Sequence, residues 1–434
     1  MRENILTLFP SEEPLNHSLR LAGSKSFMNR ALILGALAET PLILKNPSRS
    51  EDSLTLLEIL RTFGVTTRWR EEGALEIQRD RTRIPVDVTL DVGAGGTVMR
   101  FITAFAASCP GATVTVQGSE RMHERPIGPL VDALRTLGAE IEYLGKEGCP
   151  PLRIHGKTLR GGAVHVDGSL SSQFLTALLL TGATFEEGLT LIPEGELVSR
   201  SYLSMTVETL RAFGGDVTVR NDDQIVIAPT TLDASEYLVE GDASGASYFW
   251  ALAAITGGRI SVGPFPEESL QGDLGFLKIL EWMGCSVERD STTDSFTVQG
   301  PKGRLRPVEA DMLNLPDSAQ TLAVLAAVAD GVSILKGLKT LRVKETDRIA
   351  ALEQELRRVG VRTESTEDTL VIHGVSPRAL KKGVIQTYDD HRMAMSFAVL
   401  GAILPGLQIE NPSVVAKSFP DFWTRLFAIG FEGL

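Results

Sequence analysis

Cations and carboxylates recur beside serines in this chain, in short runs that read as helix starts. Ala22-Gly-Ser-Lys-Ser-Phe-Met-Asn-Arg30 gathers Lys25, Ser26 and Arg30, with Ser26 and Arg30 four apart on one face of a first turn. Gly93-Ala-Gly-Gly96 follows a β-type run and opens an apolar stretch, so the N–H groups of Gly95 and Gly96 can face an anion. Arg121 and Arg125 lie on a loop before Pro126, which is expected to start the next helix. Ser171-Ser172-Gln173 and Ser199-Arg200-Ser201-Tyr202 supply hydroxyl and amide donors; with no partner histidine they suit a ligand phosphate better than nucleophilic attack. Asp317, after Leu315-Pro316, stands where an ordinary N-cap or a general base for a substrate hydroxyl would stand. Arg342-Val-Lys344-Glu345-Thr-Asp347-Arg348 is the densest charge cluster, with Lys344 and Arg348 expected on one helical face. Asp390-His391-Arg392 and Lys417-Ser418-Phe419-Pro420-Asp421 add cations at further helix starts. Guanidinium groups in such number suit ligands that carry both phosphate and carboxylate. Two common phosphate signatures are absent. The Gly-x4-Gly-Lys spacing does not occur at Lys25, and the third glycine of a dinucleotide fingerprint falls on Val98.

The elements that position these residues repeat. A leucine-rich helix tail ending in glycine appears at Leu60–Gly64, Leu134–Gly138, Leu210–Gly214, Leu280–Gly284, Leu356–Gly360 and Leu426–Gly430. Glycine there accepts the left-handed conformation that closes a helix. Interleaved at the same period of roughly 70–76 residues are small or polar clusters that open apolar helices. These are Ser24-Lys25-Ser26, Gly95-Gly96-Thr97, Ser171-Ser172-Gln173, Asp242-Ala243-Ser244, Asp317-Ser318-Ala319 and Asp390-His391-Arg392. The chain therefore reads as an α/β protein of six units, each strand, helix, strand, helix, strand, strand. The last unit lacks its final strands, and Ile5–Phe9 with Ser18–Leu21 are expected to complete it. That gives two similar domains of three units, 23–241 and 1–22 plus 242–434, with hinges near 22–23 and 241–242. A cleft between them, ringed by helix N-termini, would attract phosphorylated ligands.

The bulk properties agree with a globular enzyme. The chain has 434 residues, 43% hydrophobic and 23% charged, with a formal net charge of −12. That balance disfavours a general nucleic-acid binder but leaves room for anionic small molecules in a locally basic site. Cys109, Cys149 and Cys285 are too few and too scattered for a disulfide framework, which points to a reducing cytoplasm. The first residues have no leader character, and no stretch is apolar enough to span a membrane. The scattered histidines show no metal-ligand spacing, so neither a metal nor another cofactor is expected.

Eight phrases together resemble the EPSP synthase family from end to end. They are Gly23-Ser-Lys-Ser26, Gly96-Thr-Val-Met-Arg100, Glu124-Arg-Pro-Ile-Gly128 and Val166-Asp-Gly-Ser-Leu-Ser-Ser-Gln173. The others are Leu315-Pro-Asp317, Arg342-Val-Lys-Glu-Thr-Asp-Arg348, Asp390-His-Arg-Met-Ala-Met395 and Ala416-Lys-Ser-Phe-Pro-Asp421. The resemblance implies the family's inside-out α/β barrel architecture, of two domains with three βαβαββ-type units each. It implies transfer of the enolpyruvyl group of phosphoenolpyruvate to the 5-hydroxyl of shikimate 3-phosphate, by a monomer that needs no cofactor. By position, Lys25, Ser26, Arg30, Ser171, Ser172, Gln173, Ser199, Tyr202, Asp317 and Lys344 would hold shikimate 3-phosphate. Lys25, Gly96, Arg125, Gln173, Arg348, Arg392 and Lys417 would hold phosphoenolpyruvate. Asp317 would deprotonate the hydroxyl, and Glu345, with Lys25 as a second candidate, would protonate the enol methylene.

Four positions depart from the family's usual pattern: Ala22, Ala94, Phe101 and Thr340. Ala94 and Phe101 flank the glycine loop expected to receive phosphoenolpyruvate. Two other functions fit the same scaffold. A transferase acting on UDP-N-acetylglucosamine usually carries a cysteine acid in the loop matching Gln117–Arg125, where this chain has none. A silent binding protein is the other, and Lys25, Asp317 and Glu345 speak against it.

Overall fold

The computed structural model describes residues 4–220 and 223–434. The residue types explain which helices go inside. α1 (Lys25–Leu37), α3 (Gly96–Ala107) and α5 (Ser172–Gly182) are apolar nearly all round and almost wholly buried. They pack on one another at the centre of one compact unit, Gly23–Val239. α7 (Ala243–Thr256), α9 (Ala319–Ala326) and α11 (His391–Gly401) do the same in the other, Met1–Ala22 with Glu240–Leu434. The intervening helices have one apolar face. They are α2 (Glu51–Thr62), α4 (Gly128–Thr136), α6 (Arg200–Ala212), α8 (Phe276–Trp282), α10 (Arg348–Arg358) and α12 (Phe422–Ala428).

The described strands form six four-stranded sheets of one pattern. In the second, Val86–Asp91 runs parallel to Thr113–Gln117, which pairs antiparallel with Leu152–His155, and that with Glu140–Tyr143. The glycines that end the six leucine-rich tails, Gly64, Gly138, Gly214, Gly284, Gly360 and Gly430, all have positive φ. A side chain there would be strained, so each marks where a helix stops and a strand can begin.

The ends of the chain are used differently from the sequence expectation. Ile5–Phe9 does join the sixth sheet, between Leu407–Glu410 and a short final strand, Glu432–Gly433. Asn16–Arg20, however, pairs in parallel with Arg259–Gly263 of the fourth sheet. Its counterpart before α7, Glu236–Leu238, pairs with Leu42–Lys45 of the first. The two leading strands are thus exchanged at the chain crossings. Those crossings fall at Ala22–Gly23 and Val239–Glu240, the second two residues ahead of Gly241–Asp242. Exchange leaves every sheet with the same number of strands, although one of the two units, 1–22 with 240–434, is discontinuous in sequence.

Candidate active site

The charged residues fall into two groups, one in each unit. In Gly23–Val239 they stand at the starts of the central helices. Ser24 stands at the N-cap position of α1, so Lys25 is its first residue, and Lys25 Nζ lies 2.9 Å from Asp52 Oδ2 in the first turn of α2. Arg30, one turn on, is buried. It donates to Ser26 O at 2.8 Å, Tyr202 O at 3.0 Å and Thr206 Oγ1 at 2.9 Å, and its guanidinium lies by the Phe101 and Tyr202 rings. All these partners are neutral. Burial lowers the Arg30 pKa to about 10, which leaves it charged at neutral pH.

Gly96 is the first residue of α3, and a Cβ on it would lie 2.5 Å from the Arg125 guanidinium. Glycine here lets a buried arginine approach the N-terminus of a helix. Arg125 sits just past a short 3-10 turn, Glu120–Glu124. Pro126 does not start α4 as expected. The N–H groups of Ile127 and Gly128 are tied to Gly148 O, and the helix begins at Gly128. Gln173 Nε2 donates to Thr97 Oγ1 at 3.1 Å, which links the first turns of α5 and α3. Ser171 caps α5 by accepting from the Gln173 N–H, and Ser172 beside it is buried. Ser199 holds a left-handed conformation, φ 55°, as the N-cap of α6, three residues before Tyr202.

The second group lies in the other unit and is dominated by ion pairs. Arg348, the first residue of α10, has a side chain only 2% exposed. Its Nε is 2.7 Å from Asp390 Oδ2, one terminal nitrogen is 3.0 Å from Glu345 Oε2, and the other is 3.4 Å from Asp317 Oδ1. Burial by itself would lower the Arg348 pKa, but Asp390, Glu345 and Asp317 together raise it above the usual arginine value. Arg392 pairs with Asp317 Oδ2 at 2.6 Å and donates to the Tyr248 hydroxyl at 3.2 Å. Lys417 Nζ is 2.7 Å from Glu345 Oε1. Three cations therefore converge on two carboxylates of suitable type for acid–base work.

Asp317 is not an N-cap. It lies in a 3-10 turn, Pro316–Ser318, with Ser318 as the cap residue of α9, so its carboxylate is directed to the two arginines. Lys344 and Arg348 do not share a helical face either. Asp347 caps α10 by accepting from the Ala350 N–H, so Lys344 stays in extended backbone before the helix. Arg348 is buried among three carboxylates.

Sequence reading passed over several partners. Asp52, Thr206 and Tyr248 carry no motif signal, and Thr97 stood only within a helix-opening phrase. Asp390 opens α11 and caps it, as its helix-start phrase indicates, but its full burial and its bond to Arg348 carry no sequence signal. Asp273 is buried too, accepting from Ser318 Oγ at 2.6 Å and Ser244 Oγ at 2.9 Å. Burial first, and then the charge of nearby Asp317, pushes its pKa up to about 6.

Comparison with known proteins places this arrangement. The enolpyruvyl transferase NikO from Streptomyces tendae superposes over 99% of this chain and 98% of its own, with a TM-score of 0.75 at 18% identity. That likeness is one of fold, the fold of an enolpyruvyl transferase. EPSP synthase from Acinetobacter baumannii has a TM-score of 0.82 at 26% identity, over 99% of this chain and 100% of that one. The 3-phosphoshikimate 1-carboxyvinyltransferase of Serratia proteamaculans (strain 568) is 42% identical over 429 residues, 96% of each chain. The family model for EPSP synthase (3-phosphoshikimate 1-carboxyvinyltransferase) matches residues 10–426. This chain belongs to the EPSP synthase family.

Among the described residues, no helix is long and apolar enough to cross a membrane.

Proposed function

We propose that the protein transfers the enolpyruvyl group of phosphoenolpyruvate to the 5-hydroxyl of shikimate 3-phosphate, giving 5-enolpyruvylshikimate 3-phosphate and phosphate. The observation that carries this reading is the convergence of Arg348, Arg392 and Lys417 on Asp317 and Glu345. Family membership supplies the substrates.

The roles rest on the positions these residues share with the family, and the chemistry agrees with them. Arg348, Arg392 and Lys417, with Arg125, Gln173 and the N-terminus of α3 at Gly96, bind the phosphate and carboxylate of phosphoenolpyruvate. Ser26, Arg30, Ser171, Ser172, Gln173, Ser199, Tyr202 and Lys344 bind shikimate 3-phosphate, and Lys25 reaches both substrates. A substrate anion that takes the Arg392 guanidinium competes with Asp317 for it. Asp317 then turns to the 5-hydroxyl and removes its proton as the oxygen bonds to C2 of phosphoenolpyruvate. Glu345 protonates C3, with Lys25 as the second candidate donor. The product of this step is a tetrahedral ketal phosphate. Loss of a C3 proton and cleavage of the C2–O bond to phosphate complete the transfer. Fixed cations stabilise the anionic oxygens at each stage.

The test is phosphate release from phosphoenolpyruvate in metal-free buffer, with shikimate 3-phosphate, with UDP-N-acetylglucosamine, and with neither. Release that needs shikimate 3-phosphate is expected. Release with the nucleotide sugar in its place, or with neither acceptor, overturns the proposal.

A further inference from the structure

Asp273 has no part in the mechanism above, yet its carboxylate touches the machinery at one remove. It lies in the short turn Gly272–Gly275 before α8. One oxygen accepts from Ser318, the residue after Asp317, and the other from Ser244 in the first turn of α7. A single buried carboxylate thus ties three elements at the point where Asp317 leaves the backbone. The charged groups facing it are Asp317 on the 316–318 turn and Arg392 on α11; from α7 it meets the Ser244 hydroxyl.

Asp317 has a difficulty as a base. Two arginines stand on its oxygens, and cations so placed oppose the uptake of a proton. A second negative charge close by opposes them. We infer that Asp273 is a positioning residue for proton transfer: it holds the turn that bears Asp317, and its buried charge keeps that carboxylate basic. The inference rests on the reading of Asp317 as the base. Protonation of Asp273 in mild acid removes that charge and so weakens its neighbour as a base.

The test uses the full chain and kcat and KM profiles from pH 5 to 9, with phosphoenolpyruvate and shikimate 3-phosphate. Asp273→Asn keeps the shape and removes the charge. It is expected to lower the kcat plateau roughly tenfold, leave both KM values within about twofold, and move the acid limb to lower pH. Ser318→Ala removes a donor that favours the charged form of Asp273, so its acid limb moves to higher pH with the plateau nearly kept. Wild-type kcat and pH profile in Asp273→Asn overturns the inference, as does a loss carried only by KM. Lower plateaus with unmoved limbs in both variants would mean packing alone and also overturn it. Should Asp273→Asn not fold, the limb of Ser318→Ala decides. A wild-type protein without shikimate-3-phosphate-dependent release sinks the function itself, and the inference falls with it.

Discussion

Arg30 and Arg348 are both buried arginines near the N-terminus of a helix, and their surroundings are opposite. Arg30 is held by two backbone carbonyls and a hydroxyl, and its charge is left uncompensated by its hydrogen-bond partners. Arg348 is held by three carboxylates. The first environment lowers the pKa and the second raises it. On the proposed function, the cation stored against neutral groups takes up a substrate anion directly. The cation stored against acids releases an acid or a base when the anion arrives. The pair of Lys25 with Asp52 shows that the division is not absolute.

The largest effect that can break this comparison is catalytic. Asp317→Ala is expected to lower kcat by roughly 10²–10⁴. The KM for phosphoenolpyruvate should not rise, because Arg392 and Arg348 lose a competitor. A rise in that KM would mean that Asp317 serves to hold the arginines in place.

Next comes stability. Arg348→Ala leaves Asp390 buried without its counter-charge, at a cost of about 3–5 kcal/mol in denaturant unfolding. Arg30→Ala leaves only neutral acceptors behind and should cost about 1–3 kcal/mol. The reverse order would undo the distinction drawn between them.

A smaller effect is expected from Gly96→Ala. The new Cβ must displace the Arg125 guanidinium, so the KM for phosphoenolpyruvate should rise roughly tenfold with shikimate 3-phosphate binding unchanged. Equal losses for both substrates would mean that the whole helix start had shifted.

The smallest effect is the pH dependence of stability. The folded-state pKa of Asp273 is raised to about 6, so the folded chain holds this proton more tightly than the unfolded chain does. Its favourable contribution is complete below about pH 4 and is lost as pH rises through about 6. Asp273→Asn removes that slope. Thermal unfolding should therefore show the variant gaining on the wild type between those values. A variant that loses ground over the same range would show that the charge stabilises the fold.

The sixfold repeat was legible because it rests on local rules. Glycine at each helix end and small or polar residues at each start act within one turn, wherever the chain lies. Lys25, Asp317, Glu345 and Arg348 stood out for a similar reason, as charges set where helices begin. Local rules misread elsewhere also had a local cause. Asp347 was a visible cap, and reading it as one would have started α10 at Arg348 and kept Lys344 off the helix. The delay at Pro126 was not visible, since it depends on Gly148, well beyond α4 in sequence.

The exchanged leading strands had no such signal. Asn16–Arg20 and Glu236–Leu238 carry no residue pattern that selects one sheet over the other, and each pairs in parallel at the edge of its sheet. Only the closure of each unit chooses between them. The depth of Arg348 belongs to the same class, because its carboxylates come from residues 317, 345 and 390. Composition, periodicity and motif order thus set the fold class, the unit count and the family, since these are written in neighbouring residues. Strand partners, the burial of charge and the place of Asp273 were settled by tertiary structure, since burial and pairing depend on residues that the sequence keeps far apart.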